Sequence, residues 1–283
     1  MRNLVEKIVL GTVQFGLDYG VNNSAGQVEP CEILSILQLA GENNISILDT
    51  SSAYGNAEKV LGKLLPEIDY NFKLISKYPK NDLSVSCTLY NTLENLRVDS
   101  LYGYLLHHFE MYREYPGIWE EFKALKESQK VEKIGFSIYT KEELELILSK
   151  GDEFDIIQFP YNILDRQFEP YLEVLHRRNV EIYARSTFLQ GLFFMDREKL
   201  PIKLQALKKY LCIIDDYASL ENMSVTEVAI NYNLQNKYID GVLIGVDNAT
   251  QLADNIRSVL NKRIDLSIDV EETELLNPSN WYK

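Results

Sequence analysis

Cysteine and histidine are scarce in this chain. Three cysteines stand apart at Cys31, Cys87 and Cys212 with no CxxC spacing, and the histidines number three, His107, His108 and His176. An odd count of separated cysteines argues against a disulfide framework, and so few histidines make a zinc site or a histidine-rich hydrolase hard to build. The cysteines are expected to be reduced thiols, mostly packing inside a cytoplasmic protein, and His176, in EVLHRRN, to lie on a polar helix end. Basic charge is short too. With a formal net charge of −13, the chain has no basic stripe for a nucleic-acid backbone or an anionic membrane surface. No apolar run reaches roughly eighteen residues, and no charged segment followed by an apolar stretch opens the chain, so a soluble, unexported protein is expected. Also missing are a G-x-G-x-x-G motif after an early strand, internal repeats, and any Pro/Gly/Ser-rich linker. An open dinucleotide-binding sheet is therefore the weaker fold reading, and no domain boundary is marked.

What is present is a pattern. Of the 283 residues 46% are hydrophobic and 11% aromatic, enough for a large core. Short β-rich runs alternate with longer amphipathic ones: KIVLGT (7–12), ISILDT (45–50), FKLISKY (72–78), LYGYLLHH (101–108), VEKIGFS (131–137), FDIIQFPYN (154–162), VEIYARS (180–186) and DGVLIGV (240–246). Helical patterns follow them, near 30–44, 56–65, 83–97, 118–129, 141–150, 168–179, 203–221 with 225–236, and 250–260. Apolar strands separated by helices imply parallel pairing with right-handed crossovers. Eight such units in a chain of this length predict an α/β fold, a closed (β/α)8 TIM barrel, as a single domain over residues 1–283.

Barrels of this kind carry their chemistry at the carboxyl ends of the strands. Asp49 ends the second run, Tyr54 follows in its loop, Lys77 ends the third and His107 the fourth. Singly, Asp49 could cap a turn, Tyr54 could be one tyrosine among eighteen, and Lys77 could reach for solvent. Together at consecutive strand ends they are expected to form a catalytic set. A phenol is a poor acid at neutral pH. An ammonium nearby, held by a carboxylate, favours its ionised form, so Lys77 paired with Asp49 would make Tyr54 a proton donor and acceptor. His107 would orient a carbonyl oxygen beside it. Protonating that oxygen is half of a reduction; the other half is a hydride, which no side chain supplies, so a nicotinamide cofactor is implied.

The segments DTSSAYGNAE, LISK and YLLHH resemble the Asp, Tyr, Lys and His tetrad of the aldo-keto reductase superfamily, and the similarity runs from GTVQFG to IGVDNATQLADN. The resemblance implies a metal-free (β/α)8 enzyme using NADP or NAD, with Tyr54 as general acid and His107 rather than His108 in the site. It places Gly11 and Thr12 at the cofactor, with Ser137 and Gln158 at the carboxamide. Ser186, Phe188, Gln190 and Gly191 approach the pyrophosphate, and Gly245, Asp247, Gln251, Asp254 and Asn255 the adenosine. Two departures stand out: Ile138 where many members have asparagine, and Arg185 where an aromatic ring stacks on the nicotinamide, although a guanidinium can also stack. Asp247 stands where members committed to NADP place a cation or hydroxyl. Either it disfavours the 2′-phosphate or it caps the last helix, so the cofactor preference stays undecided between NAD and NADP.

The loop FGLDYGVNNSAGQ (15–27) brings Tyr19, Asn22 and Asn23 to the same mouth, a polar rim suited to a sugar-like carbonyl. FGLDYGVNN and ARSTFLQGL also resemble a bacterial subgroup linked to polysaccharide and sugar metabolism. Trp119 and Trp281 are expected in the core. A homo-oligomer is compatible with the sequence. Two other readings stay open: a cofactor-binding regulatory or sensing subunit with little turnover, and a metal-dependent barrel hydrolase or isomerase, which would need several His, Asp or Glu ligands at successive strand ends.

Overall fold

In a computed structural model, which describes residues 3–20, 26–81 and 83–281, each of the eight β-rich runs forms one strand. They are β1 (Ile8–Gly11), β2 (Ile47–Asp49), β3 (Lys73–Tyr78), β4 (Leu101–Leu106), β5 (Val131–Ser137), β6 (Ile156–Pro160), β7 (Glu181–Arg185) and β8 (Gly241–Gly245). Every neighbouring pair is parallel, and β8 returns to β1, closing the barrel in sequence order. The predicted (β/α)8 barrel is thus the observed fold.

Among the described residues ten α-helices connect or cover the strands: α1 (Pro30–Glu42), α2 (Ala57–Leu64), α3 (Val85–Leu96), α4 (Glu110–Glu114), α5 (Ile118–Glu127), α6 (Lys141–Lys150), α7 (Leu172–Arg177), α8 (Lys208–Leu220), α9 (Val225–Leu234) and α10 (Ala249–Arg257). Their starts follow local chemistry. Thr140 and Ser224 build reciprocal capping boxes with Glu143 and Glu227, and the Ser84 and Asn248 side chains cap α3 and α10. In α1 the buried positions Ile33, Ile36, Leu37 and Ala40 fall on one helical stripe, which packs with outward strand residues such as Ile8, Leu10 and Leu48. Two predicted helices start late, because Glu169–Tyr171 and Ile202–Leu207 are wound as 3-10 turns before α7 and α8; the short α4 was not predicted.

Alternation along the strands decides what reaches the barrel interior. Val9, Ile75, Leu105, Ile156 and Tyr183 form a separate interior cluster, joined by Ile47 and Leu243. Two residues beyond these, on the same face, come Gly11, Lys77, His107, Gln158, Arg185, Asp49 and Gly245. The tail contributes Ile264, Ile268, Leu276 and Trp281 to a second core with Leu189, Leu192 and Phe193, so the loop after β7 is anchored from outside the barrel.

Trp119 and Trp281 are buried, as expected. The cysteines depart from expectation: Cys31 and Cys87 are exposed and Cys212 half-buried, because they lie off the apolar stripes of their helices. His176 is exposed near the end of α7. Among the described residues no helix is long and apolar enough to cross a membrane, and no group of three or more His, Cys, Asp or Glu could hold a metal ion.

Candidate active site

At the carboxyl end of the strands lies a cavity of about 820 Å³. Asp49 and Lys77 sit at its base, both almost completely buried. The Lys77 ammonium donates to Asp49 Oδ1 and, at 2.8 Å, to the Thr50 carbonyl, while Gln158 Nε2 donates to Asp49 Oδ2 at 2.8 Å. Thr12 secures the same strand end from β1, its hydroxyl donating to the Asp49 carbonyl at 3.0 Å. Every polar atom of the carboxylate and ammonium thus has a defined job, the condition under which a buried pair is tolerated.

Tyr54 is held over this pair by close backbone packing. A methyl group at Gly16 would lie 1.9 Å from the Tyr54 carbonyl oxygen, and one at Gly55 would lie 2.3 Å from the Gly16 carbonyl. Gly55 also adopts φ +55°, the left-handed region. The two glycines let the loops after β1 and β2 touch, which puts the Tyr54 ring 5.1 Å from Lys77 Nζ. His107 meets that ring edge-on at 5.9 Å between centroids, and its Nδ1 lies 3.1 Å from Ser51 Oγ. With the serine hydroxyl donating to Nδ1, the tautomer carrying its proton on Nε2 presents a donor to the cavity.

The electrostatics differ from the sequence expectation in one respect. Burial, reinforced by the Asp49 carboxylate, raises the Tyr54 pKa well above the ordinary phenol value, with Arg185 acting the other way. Tyr54 is therefore a firmly protonated phenol rather than one eased toward ionisation, because the Lys77 charge is already spent on Asp49 and Thr50. Burial also lowers Lys77, with Asp49 opposing, and drives His107 well below its usual range, assisted by the Lys77 charge. His107 is neutral at physiological pH.

The cavity then runs past β7 and β8. Arg185 lies with its guanidinium 4.0 Å from the Tyr139 ring centroid and donates from Nη2 to the Ile138 carbonyl at 2.9 Å. The loop beyond it is unusual: Ser186, Leu189, Gln190 and Gly191 all have positive φ, at 61°, 47°, 53° and 89°. Such backbone persists where its surroundings over-determine it. Here Asn162 Nδ2 binds the Ser186 carbonyl at 3.0 Å, the Thr187 hydroxyl binds the Leu243 carbonyl at 3.2 Å, and Gln190 Nε2 donates to the Tyr19 hydroxyl at 2.7 Å. At the far end, Gly245, Asp247, Gln251, Asp254 and Asn255 line the wall. Asn248, not Asp247, caps α10, its side chain accepting from Gln251 N at 2.8 Å. Capping therefore does not account for Asp247, whose Oδ1 is buried without a hydrogen-bond partner among the described residues.

A match to the family model described as the Aldo/keto reductase family spans residues 7–269. The chain belongs to the aldo/keto reductase family. Among its relatives, YqkF of Bacillus subtilis, named an uncharacterized oxidoreductase, is 21% identical, covering 92% of this chain and 93% of that protein. YrpG of the same organism, named likewise, is 24% identical, covering 96% and 91%. The holo form of the aldo-keto reductase AKR11C1 from Bacillus halodurans superposes with a TM-score of 0.73 at 19% identity over 95% of this chain and 90% of that one. The aldo/keto reductase chain is accordingly an oxidoreductase.

In this aldo/keto reductase the strand-end candidates lie close together at one end of the barrel. Gly11, Thr12, Asp49, Tyr54, His107, Ser137, Gln158 and Arg185 line one cavity with Tyr19, Ser186, Phe188, Gln190 and Gly191. Lys77 lies behind Asp49, fully buried, and His108 is exposed and turned away from the cavity. Asn22 and Asn23 lie outside the described residues. Sequence reasoning missed Gln14, Tyr139, Glu227 and Arg257, which also line the wall. Gln14, inside GTVQFG, carries the one available signal, a polar residue in an otherwise apolar motif just past a strand; the 3-10 turn Val13–Phe15 buries it, with Oε1 unpartnered among the described residues.

Proposed function

We propose that the protein is an NAD(P)H-dependent carbonyl reductase that converts an aldehyde or ketone, of sugar-like type, to an alcohol with Tyr54 as general acid. The observation that carries this reading is the buried Asp49–Lys77 pair beneath Tyr54 and His107, at the inner end of a cavity of about 820 Å³, large enough for a dinucleotide with a small substrate. The cavity wall suits such a cofactor: a left-handed loop at 189–191 lets backbone come close, and two buried polar atoms, Gln14 Oε1 and Asp247 Oδ1, await partners. Ser137 and Gln158 would hold its carboxamide, Arg185 its ring, Gly11, Thr12 and residues 186–191 its phosphates, and Gly245 to Asn255 its adenosine.

When bound, the nicotinamide supplies the hydride that reduces the carbonyl carbon. The protein's residues handle the oxygen. Neutral His107 donates from Nε2 to the carbonyl and fixes its direction, and Tyr54 gives it a proton. A phenol with a raised pKa holds its proton until negative charge develops on the substrate oxygen. The phenolate then formed lies beside Lys77, which Asp49 holds in place. At the far end Asp254 is paired with Arg257 and Glu227 is engaged with Ser224, so Asp247 is the acid that favours a free ribose 2′-hydroxyl over a phosphate, and NADH is expected to bind more tightly than NADPH.

Separate titrations with NADH and NADPH, followed by turnover of simple aldehydes by the native chain and by Tyr54→Phe, test this reading. Expected are micromolar binding, and a loss of turnover of about a hundredfold or more with binding retained in the variant. Tight binding without turnover of any carbonyl compound would favour the sensing-subunit reading. Failure of both nucleotides to bind would remove the proposal.

A further inference from the structure

Arg185 is a permanent cation placed at the reacting end of the cavity. It lies two residues beyond the interior Tyr183 on β7 and shares the wall with Tyr54 and His107. Its charge acts on Tyr54, Lys77, His107 and Tyr19 alike. The guanidinium is fixed, with one face on Tyr139 at 4.0 Å and Nη2 on the Ile138 carbonyl at 2.9 Å. Of its five N–H donors, the others make no hydrogen bond within the described residues.

Nor does it have a counterion among those residues. Asp49 is committed to Lys77 and Gln158. Asp165 feels the Arg185 charge but is buried on Gln167, its carboxylate accepting from Gln167 Nε2 at 3.0 Å, and makes no ion pair with Arg185. With Lys77 and Asp49 cancelling and His107 neutral, Arg185 sets the net charge where the carbonyl would react. The acids of the cavity, Asp247, Glu227 and Asp254, stand by β8, α9 and α10, and its second arginine, Arg257, is paired with Asp254. One cavity of a strongly acidic protein thus keeps its unpaired positive charge for the inner end. A half-buried cation fixed by stacking but unpaired is completed by an anion.

We propose that Arg185 selects the substrate: the carbonyl compounds reduced here carry a carboxylate or phosphate group a few bonds from the reacting carbon, and Arg185 binds it. This rests on the carbonyl-reductase reading. Stacking uses a face of the guanidinium and anion binding uses its N–H edge, so contact with a cofactor ring does not compete.

The test is calorimetry on the full chain, with and without saturating NADH or NADPH, using succinate and glycerol 3-phosphate as unreactive anionic probes and butane-1,4-diol and glycerol as neutral ones. The expected result is binding of at least one anion about tenfold or more tighter than its neutral partner, alongside cofactor, and loss of that preference in Arg185→Gln. The carboxylate and phosphate arms distinguish the two anions. In kinetics, the kcat/KM ratio of succinic semialdehyde to butanal, or of glyceraldehyde 3-phosphate to glyceraldehyde, should fall by a similar factor in the variant through KM. Arg185→Lys, which keeps charge without the stack, should retain part of the preference and serves if the glutamine variant does not fold. Equal binding of charged and neutral probes, a preference that survives Arg185→Gln, or anions that bind only when cofactor is absent would each overturn the proposal. Anion binding without turnover of any carbonyl would instead sink the reductase reading and leave the Arg185 anion site standing.

Discussion

The two ends of the barrel carry the same three kinds of residue, a lysine, a carboxylate and a tyrosine, and differ in depth. At the amino ends of the strands Lys133 donates to Glu181 Oε1 at 2.5 Å and to the Tyr102 hydroxyl at 2.9 Å, with Lys73 over the Tyr102 ring at 4.4 Å. Lys133 and Glu181 are 25% and 27% exposed, whereas Lys77 and Asp49 at the other end are 0% and 2% exposed. The consequence shows in the direction of the titrations. Burial works to lower Lys133, but Glu181 and Tyr102 outweigh it and raise it; burial of Lys77 wins over Asp49 and lowers it. The floor is an ion-paired plug, at ease in water. The mouth is a pair held out of water, where each charge is worth more and where a phenol is kept protonated beside an ammonium. Residue type does not make a site; depth and an adjoining cavity do.

Removing one member of each pair should break this comparison most visibly. Asp49→Asn leaves Lys77 as an uncompensated buried cation and is expected to cost about 3–5 kcal/mol in denaturant unfolding; a loss no larger than that of Glu181→Gln would show that the two ends are equivalent. In turnover, Lys77→Met should fall by about a hundredfold or more, whereas Lys133→Met should stay within about threefold, and equal losses would assign the floor a part in the reaction.

A second buried acid near the mouth gives a titration. Asp165 is pushed up to about 6 by burial, against its Gln167 hydrogen bonds and the Arg185 charge. Its native carboxyl holds a proton more tightly than the unfolded chain does. Its contribution to stability is therefore complete below about pH 4 and lost as the pH rises through about 6. Asp165→Asn should remove that fall and raise stability at pH 8 by on the order of 2 kcal/mol, measured as denaturation midpoints across pH 4–8; an unchanged slope would place the titration elsewhere. The smallest effect belongs to the floor: Glu181→Gln should cost less than about 1 kcal/mol and the cost should shrink in 1 M salt. A salt-insensitive loss would mean that the plug is effectively buried.

Much of this was legible before any fold. Isoleucine, valine and leucine runs of strand length, punctuated by amphipathic stretches, lead to eight parallel strands, and alternation from the apolar interior residues puts Asp49, Lys77, His107, Gln158 and Arg185 on one inward face. The cysteines misled because a short apolar side chain on an exposed helical face looks, in sequence, like one in the core. Gln14 and Tyr139 were missed because neither ends a strand; one is turned inward by a 3-10 turn and the other by its stack on Arg185.

The sequence by itself determined the barrel and the list of reactive groups, since hydrophobic periodicity and strand ends are local properties read at a spacing of two or of three to four residues. Only the tertiary structure decided the chemistry of those groups. Gln158 reaches Asp49 across 109 residues of chain, Ser51 meets His107 across 56, and Tyr161 and Thr187 share Asn233. Whether Lys77 eases Tyr54 toward ionisation or is spent on Asp49 depends on distances of a few ångströms and on the exclusion of water. Both arise when distant strands close into a ring, and no local pattern encodes them.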